Sequence, residues 1–80
     1  MKMYREQILV ETLIKYRFRK YGFQKIKVEC FNQYNGDSTK CRVEVFKDGK
    51  RLMKHEAELN EKFVIDAENR LSTIMVEKEI

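Results

Sequence analysis

The chain has 80 residues, no proline, three glycines, two cysteines and a formal net charge of +4, which leaves room for one domain over residues 1–80 with one small core and none for a catalytic domain plus a regulator. Hydrophobic residues supply 42% of the sequence and charged residues 38%, too apolar a mixture for a disordered chain. No apolar run approaches the roughly 18 residues that span a bilayer, the start lacks the residue order of a signal peptide, and two cysteines are too few for a disulfide framework, so the expectation is a cytoplasmic protein with reduced thiols and no membrane partner.

From Met3 to Tyr21 the residues Met3, Leu9, Val10, Leu13, Ile14, Phe18 and Tyr21 fall on one stripe at helical spacing, and Gly22 stands where a left-handed C-terminal cap is wanted. The opposite side carries Arg5, Thr12, Lys15, Tyr16 and Arg19, with Ile8 as its one apolar residue. The pattern then becomes alternation. Ile26, Val28 and Cys30 alternate with Lys25, Lys27 and Glu29 before Asn35-Gly36, a pair that tolerates positive φ and marks a tight hairpin. A two-residue loop there sets Cys30 opposite Cys41, Val28 opposite Val43 and Ile26 opposite Val45 on one face. On the other, Lys27 meets Glu44 and Glu29 meets Arg42, the agreement between faces that a correct register requires.

At the second turn, Asp48-Gly49, a two-residue loop would point Lys54 and Glu56 at the core, a costly burial. The sequence therefore favours a three-residue loop, Lys47-Asp48-Gly49, with Met53 opposite Val43, His55 opposite Cys41 and Ala57 following. Phe31, Phe46 and Leu52 are then expected together on the outer face. Further on, Phe63 to Ile65 and Leu71 to Val76 are rich in β-branched residues and read as a fourth and fifth strand around residues 66–70. A helix capped by Asn60, with Val64, Ala67, Leu71, Ile74 and Met75 inward, fits the same spacing. The expected class is α+β, an N-terminal helix on an antiparallel meander (αβββββ), with αβββα as the alternative. The alternative order resembles that of double-stranded RNA binding domains. Asn60 to Asp66 contains only Lys62 where those domains open their second helix with a short basic run, so the resemblance covers element order alone and implies no function.

Three constellations bear on function. Between Lys15 and Lys27 there are six cations and no carboxylate, interleaved with Tyr16, Phe18, Tyr21 and Phe23, and residues 1–42 carry +6 against −2 for residues 43–80. Clustered cations displace counterions from phosphates and aromatic faces stack on unpaired bases, which makes Arg5, Lys15, Tyr16, Arg19, Lys20, Lys25 and Lys27 candidates for a nucleic-acid surface. Cations in a last helical turn also complement the helix dipole and keep a surface solvated. Cys30, Cys41 and His55 share the inner face, but a structural zinc site needs a fourth ligand, so neither a metal nor any other cofactor is expected. Phe31, Phe46 and Leu52 are candidates for a protein interface on the sheet. No nucleophile-and-base pair, glycine-rich phosphate loop or metal motif is present, which argues against an enzyme. The expectation is a small non-enzymatic binding protein or regulator that contacts another protein or a second copy of itself through the sheet face or edge. The alternative is a nucleic-acid-binding module.

Overall fold

The computed structural model describes residues 4–32 and 38–79. Helix α1 spans Tyr4–Phe18 and continues as a short 3-10 turn, Arg19–Tyr21; strands β1 (Lys25–Asn32), β2 (Thr39–Lys47) and β3 (Lys50–Glu58) follow, then helix α2, Phe63–Glu79. The three strands form one antiparallel sheet in the order β1-β2-β3. The order is αβββα. No helix among the described residues is long and apolar enough to cross a membrane.

Gly22 ends the first helical segment at φ 67, the left-handed conformation expected there, and its N–H donates to the Arg19 carbonyl. The first hairpin has the expected register in full, with Ile26, Val28 and Cys30 facing Val45, Val43 and Cys41. The Asn35-Gly36 turn itself lies outside the described residues. Cys30 and Cys41 are fully buried and joined by a disulfide, where the sequence suggested reduced thiols. Their Cα atoms are 4.2 Å apart, the close spacing of a pair that exchanges no ladder hydrogen bonds. The Cys30 N–H accordingly points off the sheet edge, where it donates to the Gln7 Oε1 at 3.3 Å. A bridge across 11 positions of sequence restricts the unfolded chain by about 3 kcal/mol on the loop-closure account.

The second hairpin departs from the expected three-residue loop. Asp48 (φ 55) and Gly49 (φ 75) both take positive φ and make a two-residue turn between Lys47 and Lys50. Val45 then faces Met53 while Phe46 faces Arg51, which leaves Leu52 as an extra, bulged residue. The bulge reverses the parity of β3. Met53, His55 and Ala57 therefore point inward opposite Val45, Val43 and Cys41, while Lys54 and Glu56 stay outside. The tight turn and the apolar face are both preserved, with β3 shifted by two residues relative to the expected register.

The fourth and fifth strands do not form. Residues 63–79 are helical because Phe63, Ala67 and Leu71, each a turn apart, are the residues the core takes, with Val64, Ile74 and Met75 packed partly against it. Asn60 caps the segment: its Oδ1 accepts the Lys62 N–H at 2.8 Å and its carbonyl accepts that of Phe63 at 3.1 Å. Burial at helical spacing overrides the strand preference of the β-branched residues. Helix α1 lies over β1 and α2 over β3, both on the inner face. Because the two helices share that face, α1 commits only the ridge Val10, Ile14 and Phe18 to the core, and Leu9 and Leu13, assigned by sequence to the buried stripe, are exposed.

His55 belongs to this core. Its ring stands 5.2 Å from that of Phe63, and neither ring nitrogen has solvent access or a hydrogen-bond partner among the described residues. Burial holds its pKa below the ordinary 6.5, the Arg70 charge lowers it further, and Asp66 acts in the opposite direction.

Two outcomes follow. A strand would bury Phe63 and Ile65 on the same side, whereas the helix buries one and exposes the other; in urea denaturation Phe63→Ala is expected to cost about 3–5 kcal/mol and Ile65→Ala less than about 1. The second outcome concerns acid. A histidine with a depressed folded pKa binds fewer protons folded than unfolded, so its contribution is complete above pH 6.5 and is lost as pH falls through the range below it. Unfolding curves between pH 8 and pH 5, in roughly that interval of ordinary histidine titration, should show this decline in the native chain and a flatter profile in His55→Leu.

Candidate functional site

The candidate cations separate once the chain folds. Arg5, Lys15, Tyr16 and Arg19 are exposed on α1 and the turn that extends it. Lys15 is paired with Glu11 at 3.0 Å, one helical turn away. Lys20 lies 3.3 Å from Glu68, which also receives Arg17 Nε at 2.6 Å and the Tyr21 hydroxyl at 3.2 Å. The Arg17 hydrogen bond does most to hold the Glu68 carboxyl below its ordinary pKa; burial opposes it, and Lys20 and Tyr21 reinforce it. Lys25 and Lys27 occupy the outer face of the sheet, with the sheet itself between them and α1, and Lys25 Nζ sits 6.0 Å above the Phe46 ring.

The outer face of the sheet is a charged lattice. Arg42 stands at its centre, 3.1 Å from Glu29, 3.8 Å from Glu44 and 3.6 Å from Glu56. Lys40 adds a contact with Glu56 at 3.4 Å and Arg51 one with Glu44 at 3.3 Å. The three expected interface residues do not meet there. Phe31 pairs with Lys40 at one end of the hairpin and Phe46 with Lys25 at the other, about 20 Å apart at the rise of a strand. Leu52, carried by the bulge, packs against the core. On the inner face His55 sits opposite Val43, not Cys41, and no group of three metal-ligating side chains occurs among the described residues.

Exposed apolar surface gathers instead between the helices. Leu9, Leu13 and Tyr16, on one side of α1, are 60%, 48% and 76% exposed, and Ile65 across from them is 45% exposed. With Leu59 and Val64 they wall an open slot of about 520 Å³ whose floor is Val10. The slot exists because α1 and α2 run side by side in the same direction and are tied together at one end by Arg17 and Glu68, while nothing among the described residues fills the space between their earlier turns. A second depression of about 490 Å³, lined by Tyr16, Arg17, Arg19, Lys20 and Glu68, adjoins the first through Tyr16 and Arg17.

The slot is not apparent from the sequence, where Leu9 and Leu13 read as core residues, Ile65 reads as part of a strand and Leu59 belongs to neither pattern. The signal was present in α1 as a second apolar row, Leu9, Leu13 and Tyr16, alongside the row Val10, Ile14 and Phe18 that the core uses. The chain matches no protein family, no curated protein and no solved structure.

Proposed function

We propose that this chain is a small non-enzymatic binding protein that engages another protein through the slot between its helices. The observation that carries the proposal is the set of apolar side chains left in water at Leu9, Leu13, Tyr16 and Ile65, contiguous and unmatched by any cover from the chain's own described residues. Groups of this kind on one concave surface are the usual anchors of protein–protein contact, tyrosine especially. The sheet face is less suited, because its centre is occupied by the ion pairs of Arg42. Less supports the nucleic-acid reading: Arg17 and Lys20 are engaged by Glu68, and Lys25 and Lys27 face away from Arg5, Lys15, Tyr16 and Arg19.

Affinity capture from the native host with nuclease treatment, comparing the native chain with a Leu13→Glu, Ile65→Glu double variant, tests the reading. Both positions are exposed, so the variant is expected to keep its unfolding free energy within about 0.5 kcal/mol of native. A protein captured after nuclease by the native chain and weakened by 30-fold or so in the variant, about 2 kcal/mol for loss of a central anchor, is the expected result. If light scattering shows a dimer that the same substitutions dissociate, the partner is a second copy. Capture that the substitutions leave unchanged, or that nuclease abolishes, overturns the proposal.

A further inference from the structure

The surroundings of the slot narrow the kind of partner it fits, an inference that rests on the binding reading above. The slot is a trough and not a closed cavity, walled by one row of side chains from α1 and another from Leu59 and the start of α2. Leu9 to Tyr16 spans seven positions of α1, about 10 Å of helix. A trough of that length between two parallel helices takes a third helix laid along it, with apolar side chains at i, i+3 or i+4 and i+7 seated between the rows.

Charge then gives the docked helix a direction. At the end marked by Tyr16 and Arg17 the trough borders the depression that contains Arg17, Arg19, Lys20 and Glu68, the two sharing those side chains as a wall. Three cations surround one carboxylate there. Glu68 is shared by Arg17 and Lys20, and Arg19, exposed on the same rim, has no ion-pair partner among the described residues. This end of the trough therefore holds surplus positive charge beside the apolar walls, with Arg19 placed to accept a carboxylate without disturbing the contacts of Glu68. The lining away from that end includes Asn60 and Glu61, which offer no such attraction to an anion, and the exposed Arg5, one turn before Leu9, lies outside the lining.

We infer that the slot receives an acidic amphipathic helix of a partner protein, its apolar residues between Leu13 and Ile65 and its carboxylates about two turns further along, at Arg19 and Lys20. The shared border at Tyr16 and Arg17 sets that order: apolar anchors first, negative charge next.

Selection from a random-peptide display library on the purified full chain, run in parallel on Leu13→Glu and on Arg19→Glu, tests the inference. The expected peptides carry apolar residues at helical spacing and net negative charge, are absent from the Leu13→Glu selection, and bind Arg19→Glu more weakly by roughly five- to tenfold in fluorescence anisotropy, with a salt dependence that the same substitution reduces. Enriched peptides with the apolar spacing but neutral or basic flanks would overturn the acidic-partner inference and leave the slot as a protein-binding site. Peptides indifferent to Leu13→Glu, or no enrichment over the uncoated support, would overturn both.

Discussion

The structure depends on one requirement: the inner face of the sheet must be covered. Ile26, Val28 and Cys30, Cys41, Val43 and Val45, and Met53, His55 and Ala57 lie there in three adjacent rows. Three strand widths make a face about 14 Å across, more than the roughly 10 Å that one helix covers. A single helix over β1 would leave Met53, His55 and Ala57 open to water. The C-terminal segment meets that need as a helix, with Phe63, Ala67 and Leu71 as its contact row. Each of those residues is worth on the order of 1 to 3 kcal/mol in burial, a large part of the net stability of a domain this small.

The covering also creates the candidate site. Two helices on one face must divide it, and α1 gives the core only one of its two apolar rows. Its second row has no place to go but the gap between the helices. Arg17, Lys20 and Tyr21 converge on Glu68 at one end of that gap, so the helices are tied there and the apolar trough lies beyond the tie. Apolar surface and cationic surface are consequently neighbours, separated by the side chains of Tyr16 and Arg17 alone.

The first hairpin was legible in the sequence because both of its faces are informative: apolar pairs within and opposite charges without agree on one register. In the second hairpin the two signals disagreed. Asp48-Gly49 called for a two-residue turn and the burial pattern for an odd shift, and a bulge at Leu52 satisfies both, a solution that local pattern cannot place because it depends on where along β3 the extra residue is accommodated. The C-terminal third was ambiguous for a different reason. Short apolar runs with β-branched residues suit either element, and what decides between them is the uncovered half of the sheet, a fact of three dimensions. The site was hidden for the same reason: Leu9 and Leu13 look like core residues until a second helix takes part of the core from them. Phe31, Phe46 and Leu52 show the converse, residues that look like one patch on an alternating strand yet are separated by strand length and by the bulge.

The most direct test of this arrangement is the solvent accessibility of individual methyl groups, read by NMR from the broadening caused by a dissolved paramagnetic agent. The methyls of Leu9, Leu13 and Ile65 should broaden strongly, while those of Ile14 and Leu71, fully buried beneath the two helices, should be protected. Protection of Leu9, Leu13 and Ile65 equal to that of Leu71 would mean that the helices close on one another and that no open slot exists.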